Sequence, residues 1–291
     1  MSTVAFVTFE RFPELTPDDQ LAAAALQAAG IAVDALQWDA DTDWGRYATV
    51  ILRSIWDYHH RLDEFRAWLD ALDAAGARVL NPTEVLRWNM DKLYLQDLQA
   101  AGFAVTPSVW LPRGAKARLA DILAQKDWAQ AVVKPTVSAG ADDTFMVLAS
   151  DVEARQADFA DLLARKGVVV QQFMAELQAE GEWSLMFFNK RYSHAVLKQP
   201  GEGDFRVQRH YGGREEAAQP PQALIDQAQE IVDDVDAELL YARVDGVAQA
   251  DTFVLMELEL IEPALFFGAT EGAAERFAQA VARQLVEHKN T

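Results

Sequence analysis

The sequence predicts an α/β fold that changes style along its length, from a doubly wound parallel sheet to an α+β arrangement of antiparallel sheets. Three observations carry this expectation. Apolar, β-branched runs alternate with capped helices through the first third, a hairpin pattern takes over in the middle, and two long strands follow each other near the end. Val4 to Phe9 is the first core strand. Thr16-Pro17-Asp18-Asp19 supplies an N-cap, a proline at the first helical position and acids in the first turn of an Ala-rich helix that stops at Gly30. Ile31 to Trp38 and Thr49 to Leu52 are further strands, Leu62 to Ala75 is an amphipathic helix ended by Gly76, and Arg78 to Leu80 is a short strand before Asn81-Pro82. Lys92 to Ala101 is a helix closed by Gly102. Ala131 to Pro135 is a strand that runs into a loop, Thr136 to Asp143, with Phe145 to Leu148 as its antiparallel partner. Asp151 caps a helix reaching about Arg165, and Gly167 to Phe173 is a strand. Trp183 to Phe188 and Tyr192 to Leu197 form a hairpin about Asn189-Lys190. Gln222 to Leu239 is a helix, Ala242 to Gln249 and Thr252 to Ile261 are the two long strands, and Gly272 to Glu287 is the last helix.

At 291 residues the chain is long enough for about two units and a sizeable core. Its 51% hydrophobic and 24% charged residues exclude long disorder and fibrous repeats. With 45 acidic against 26 basic residues, the net charge of −19 argues against a nucleic-acid partner held by a general basic surface. The absence of cysteine excludes disulfides, thiolate nucleophiles and Cys-based metal sites. No apolar run approaches the ~20 residues of a membrane helix. The start also lacks a basic n-region, so a cytoplasmic protein without a membrane partner is expected. A homo-oligomer is compatible with the sequence.

The candidate chemistry begins on the two long strands. Asp245 lies on one; Glu257 and Glu259 lie on the other, two apart and so on one face. Three converging carboxylates repel and are expensive to desolvate unless cations hold them. All-oxygen ligands favour Mg²⁺ or Mn²⁺. An isolated Glu-x-Glu also fits a solvated strand face, but the flanking Phe-Val-Leu-Met and Leu-Ile are strongly apolar. Lys134 ends an apolar strand, where an ammonium needs an anion, and the loop after it carries Ser138, Ala139 and Gly140, small enough for backbone N–H groups to approach a phosphate. Arg53, Trp56 and Tyr58 follow a strand's carboxyl end, where open α/β sheets bind ligands. Arg53 suits a substrate carboxylate. The two aromatics either pack a small side chain or form interdomain core. His59, His60, His194 and His210 lack metal spacing and read as surface or hairpin residues.

An ordered set of segments then narrows the reading. Asn89-Met-Asp-Lys92, Val133-Lys134-Pro135 with Ser-Ala-Gly, Val170-Gln171-Gln172-Phe173-Met174 and Gly181-Glu182-Trp-Ser184 come first. Lys198, Asp204-Phe-Arg206, Gly212-Gly213, Asp245 and Glu257-Leu-Glu259 follow. This order resembles the ATP-grasp superfamily, in particular bacterial glutathione synthetase and the cyclo-ligase of D-cycloserine biosynthesis. The likeness to the latter is greatest in Gly181 to Ser184 and Tyr241 to Pro263.

The resemblance implies an ATP-grasp fold with three parts: a pre-ATP-grasp substrate domain over 1–103, a lid subdomain over 104–173 and a catalytic subdomain over 174–291. It implies ATP clasped between two antiparallel sheets, with Lys92 and Lys134 on its phosphates and the loop at Ser138 and Gly140 as a lid. Gln171, Gln172, Phe173 and Met174 would form the adenine hinge, and Glu182 would take the ribose hydroxyls. Lys198 and Arg206 would approach the γ-phosphate and the substrate carboxylate. Asp245, Glu257 and Glu259 would hold two Mg²⁺ ions, Mn²⁺ being an alternative. Two departures stand out: Glu259 occupies a position where many relatives have Asn, and the lid loop has Ser-Ala-Gly rather than a Gly-Gly pair.

The implied reaction is phosphorylation of a small amino-acid-like carboxylate, then C–N bond formation with release of ADP and phosphate. Intramolecular closure, as in O-ureido-D-serine to D-cycloserine, is expected over ligation of two substrates. A non-catalytic nucleotide-binding module is the reading outside enzymes. Arg243 would stabilise an oxyanion or hold substrate, or else pair with Glu257 or Glu259. Glu262 would hold a substrate ammonium, or else be a loop charge beside Pro263.

Overall fold

The computed structural model describes residues 3–201, 206–207 and 212–287. It contains three sheets. The first is parallel, with order β2-β1-β3-β4, built from β1 (Thr3–Thr8), β2 (Ala32–Gln37), β3 (Thr49–Leu52) and β4 (Val79–Leu80). Helices α1 (Pro17–Ala28) and α2 (Leu62–Ala74) are its crossovers. Thr16 caps α1 by accepting the Asp19 amide at 3.1 Å. Helix α3 (Thr83–Asn89) leads into α4 (Tyr94–Ala100).

The second sheet is antiparallel, with order β5-β8-β6-β7: β5 (Ser108–Leu111), β6 (Gln130–Pro135), β7 (Phe145–Leu148) and β8 (Val168–Gln172). Helices α5 (Leu119–Lys126) and α6 (Val152–Arg165) cover one face. Leu119, Leu123, Val133, Phe159, Leu162 and Val170 form a core that, among the described residues, this sheet shares with no other. Alternation therefore turns Val132, Lys134, Val169 and Gln171 to the opposite face. Strand β5 and helix α5 were not foreseen.

The third sheet, order β11-β10-β9-β12-β13, is also antiparallel. Strands β9 (Glu182–Phe188) and β10 (Arg191–Gln199) are the expected hairpin, its turn residues Asn189 and Lys190 both at positive φ. β11 (Arg214–Ala217) is a further edge strand, and β12 (Tyr241–Gln249) and β13 (Thr252–Glu259) are the two long strands. Between them, α7 (Glu176–Ala179) follows the second sheet, and α8 (Gln222–Asp234) is shorter than expected because the chain turns extended at Val235. Helix α9 (Ala273–Glu287) closes the described chain. One face of this sheet packs on α8 through Leu185, Phe187, Ala242, Val244, Leu255 and Leu258. On the other face, Met186, Phe188, Val196 and Tyr241 share a core with Phe277 of α9 and with Val4 and Phe6 of β1. The parallel sheet and the third sheet are thus welded by one apolar core. No helix among the described residues is long and apolar enough to cross a membrane.

One irregularity decides the polarity of β13. Phe253 and Leu255 point into the α8 core, and so do Leu258 and Leu260, a step of three in place of two. The register shifts there: Asp245 pairs with Glu257, but Gly246 pairs with Leu255, leaving Met256 as the extra residue of a β-bulge. Strict alternation from Leu255 would drive Glu257 and Glu259 into the apolar core. The bulge instead turns both to the opposite face and sends Met256 toward Met174. Gly246 is required opposite it, since a Cβ there would lie 2.5 Å from the Val254 carbonyl oxygen.

Candidate active site

The same face that packs on α9 extends beyond it, and there carries Glu182 and Ser184 from β9, Lys198 from β10, Arg243 and Asp245 from β12, and Glu257 and Glu259 from β13. Register brings them together. Asp245 lies opposite both Ser184 and Glu257, Arg243 opposite Glu259, and Lys198 opposite Glu182. The Arg243 guanidinium donates to Asp245 at 2.9 Å and to Glu259. Lys198 Nζ lies 3.4 Å from Asp245 and contacts Glu182. The Ser184 hydroxyl donates to Asp245. From the facing elements, Lys92 Nζ reaches Glu257 at 3.1 Å and Lys134 Nζ lies 3.9 Å from the same carboxylate. Four cations, Lys92, Lys134, Lys198 and Arg243, thus interlock with four acids, Glu182, Asp245, Glu257 and Glu259.

The charges are tuned by their surroundings. Burial opposes ionisation of Asp245, but Arg243 and Lys198 outweigh it and hold this carboxyl below its usual range. Glu257 is likewise held low, its burial outweighed by Lys92 and Lys134. Glu259 is not rescued: burial pushes it up to about 7 despite Arg243. Glu262, beside Glu259 and Glu257, is pushed by burial to about 8. Burial also lowers Lys134, outweighing its attraction to Glu257.

Lys92 also ties down the loop after β6. Its ammonium donates to the Ser138 carbonyl at 2.8 Å and its amide to the Thr136 carbonyl at 2.8 Å. Ser138 is buried, and Gly140 takes a positive φ of 61°. Gln171 shares the Lys134 face but donates its amide to Ser108 Oγ at 3.0 Å. In the segment expected as the adenine hinge, the backbone N–H groups of Gln172 and Phe173 donate to the Pro107 and Gln130 carbonyls at 2.9 and 3.2 Å. Met174 is buried against Leu177, Val207, Val254 and Met256. A cavity of about 360 Å³ lies beside the hinge, with Val105, Gln172, Phe173 and Val254 on its walls. Arg206 is half-buried, next to Val207 of the Met174 cluster.

The residues expected to contact substrate divide. Arg53 is corrected: it is 1% exposed, its Nε donates to Asp19 at 2.9 Å, its Nη2 to the Pro263 carbonyl at 2.9 Å, and its guanidinium lies over the Tyr241 ring. It fastens the interior and offers no free fork. Tyr58 is core, packed on Phe65, though its hydroxyl stays protonated through burial and the nearby Glu262, Glu257 and Glu259. Trp56 donates its indole N–H to the Glu262 carbonyl at 3.0 Å and meets Phe9 and Phe12 edge-on. For Arg243, ion pairing holds in this structure, with Asp245 as well as Glu259. His194 lies on β10 of the hairpin, as expected, and is buried, with Nε2 bonded to the Leu265 carbonyl at 2.9 Å. His60 is exposed, as expected, whereas the His59 side chain is only 4% exposed, against the surface reading. His210 lies outside the described residues.

Four residues take positioning roles that the sequence analysis did not assign. Asn89 donates to the Leu258 carbonyl at 2.7 Å and accepts the Leu260 amide at 2.9 Å, bracketing Glu259. Asn81 donates to the Tyr241 and Leu260 carbonyls and accepts the Leu240 amide. The Tyr94 hydroxyl accepts the Leu258 amide, and that of Tyr241 donates toward the Leu52 and Ile261 carbonyls. A polar residue flanked by apolar ones was the available signal.

Residues 4–81 match the family described as D-cycloserine synthetase DcsG, N-terminal domain. The cycloserine biosynthesis protein DcsG of Streptomyces lavendulae is 33% identical over 277 residues, covering 90% of this chain and 91% of its own. The crystal structure of D-cycloserine synthetase DcsG superposes with a TM-score of 0.87 at 30% identity, covering 98% of this chain and 100% of that one. D-alanine–D-alanine ligase from Bacillus anthracis, complexed with ATP, shares the fold with a TM-score of 0.68 at 13% identity, covering 100% and 99%. The chain belongs to the DcsG family of ATP-grasp ligases.

Proposed function

We propose that this enzyme uses MgATP to close a small O-substituted serine, O-ureido-D-serine, into the ring of D-cycloserine. The observation that carries the reading is the interlocked charge cluster. Each of its cations is answered by a side-chain carboxylate, and a bound nucleotide and metal can exchange those partners without exposing a bare charge. Lys92 and Lys134 would turn from Glu257 to the phosphates as point charges. The donors Asp245, Glu257 and Glu259 suit Mg²⁺, being all oxygen, with two of the three held ionised. Bound there, two Mg²⁺ ions, or Mn²⁺ in their place, would neutralise charge on the transferring phosphoryl group.

The remaining steps belong to the chain's own groups. Lys198 and Arg206 would hold the γ-phosphate and the substrate carboxylate in line, since phosphoryl transfer is chiefly a matter of positioning and charge. The carboxylate attacks the γ-phosphorus and ADP leaves, giving an acyl phosphate. The oxygen-bound ureido nitrogen then attacks the acyl carbon, and phosphate leaves with its electron pair. Arg243 would steady the oxyanion of that addition. Because the ring product lacks the carbamoyl group, water must release it as carbamate, which falls to ammonia and carbon dioxide. Glu262 carries a proton near neutrality in the free protein; a substrate ammonium beside it would draw it into ionisation. Met174 and the walls of the hinge would hold the base, and Glu182 the ribose.

The test is mass spectrometry of the products formed from O-ureido-D-serine and MgATP, with phosphate release measured in parallel. The expected result is a cyclic product with ADP. Failure to cyclise, together with amide formation from a pair of amino acids, would replace this reading with two-substrate ligation.

A further inference from the structure

We infer that His59, His60 and Asp142 form a binding site for a borderline transition-metal ion of the Zn²⁺ class, bridging the parallel unit and the loop 136–143. The ligand atoms are already gathered, all within 4.8 Å of one another. Asp142 Oδ2 lies 3.6 Å from His59 Nε2 and 3.8 Å from His60 Nδ1. Tetrahedral ligands at zinc distances stand about 3.4 Å apart, so a small approach of the loop suffices.

The second observation is His59 itself. Its side chain is 4% exposed, and neither ring nitrogen has a hydrogen-bond partner among the described residues. A buried imidazole left bare at both nitrogens is rare and asks for a ligand. Lys166, the nearest cation, does not compete strongly: it lies 3.0 Å from Asp143 and 3.9 Å from Asp142. Two imidazoles and a carboxylate prefer zinc to magnesium, which separates this site from the all-oxygen cluster. Because His59 and His60 sit on the turn after β3 and Asp142 on the loop held by Lys92, a bound ion would pin that loop to the parallel unit. The site stands whether or not the substrate assignment holds.

Zinc titration against a chromophoric chelator, in excess Mg²⁺, tests the site on the full chain. Wild type and Glu257→Gln should each bind one equivalent. His59→Gln and Asp142→Asn should bind it about tenfold or more weakly, with metal-free melting temperatures unchanged. Zinc should also slow amide exchange across 136–143 in wild type alone among the His59 and Asp142 series. If His59→Gln folds poorly, Asp142→Asn, a change in a half-exposed side chain, gives the answer. The inference is overturned if wild type binds no zinc beyond Glu257→Gln-sensitive uptake, or if Asp142→Asn keeps full affinity and loop protection.

Discussion

Two buried polar regions lie within one molecule, and they are satisfied in different ways. At the junction of the parallel sheet with the third sheet, Arg53, Asn81, Asn89 and Tyr241 bond mainly to backbone groups: the carbonyls of Pro263, Leu260, Leu258 and Ile261. Those partners cannot leave without unfolding the chain. In the cluster between the antiparallel sheets, Lys92, Lys134, Lys198 and Arg243 bond mainly to side-chain carboxylates, which can turn away. Permanence against exchangeability separates scaffold from site, although both are buried and charged. A change in the first should appear as lost stability, and a change in the second as lost turnover.

The sharpest contrast comes from Glu257→Gln. It removes a charge but little volume, so turnover should fall by on the order of 10²–10³-fold, while the melting temperature falls less than in Arg53→Met, because the new amide oxygen can still accept from Lys92. ADP formation and a thermal melt on one sample check both halves, and near-normal turnover would place the reaction elsewhere. Arg53→Met should do the reverse. It leaves Asp19 buried and unpaired, so urea titration should register a loss of about 3–5 kcal/mol, with the substrate KM of the folded fraction unchanged. A raised KM at unchanged stability would return Arg53 to substrate binding.

Asn89→Ala probes the border between the regions, because its amide brackets Glu259 from the scaffold side. Two buried backbone groups lose their partner, so a loss of about 2 kcal/mol or more is expected, accompanied by a drop in turnover as β13 shifts. Stability loss with unimpaired kcat would show that the border is sharp. An effect confined to mild acid concerns His194, which burial lowers to about 4. Since the unfolded chain takes up this proton near pH 6.5 and the native state only near 4, stability due to His194 is present above pH 6.5 and is lost as pH falls through that window. The change is on the order of 2–3 kcal/mol. His194→Gln should flatten the melting temperature between pH 6.5 and 4.

Regular elements were legible in the sequence because their signals are local. The Thr16 cap, the Asn189-Lys190 turn and the β6–β7 pairing follow from residues a few positions apart. So did the meeting of Asp245, Glu257 and Glu259, once two adjacent strands were placed. Arg53 was misread for the opposite reason. An arginine at a strand's carboxyl end looks the same whether its partner is a ligand or Asp19, 34 residues away. His59 reads as a surface residue, since its approach to Asp142, 83 positions later in the chain, is announced by no spacing. Asn81 and Asn89 act on strands far along the chain, and no spacing announces that.

The bulge at Met256 has a consequence for how the chain tolerates changes in length. Deleting a residue from a strand ordinarily swaps its two faces for everything beyond the cut. In β13, Met256 is the residue that the partner strand does not pair. Its removal would join Leu255, opposite Gly246, directly to Glu257, opposite Asp245, and leave a regular ladder. Of the positions along this strand, this is the one where a single-codon deletion should spare both glutamates, at the expense only of a methionine beside the hinge. A deletion at Val254 or Leu258, in contrast, should scramble the site.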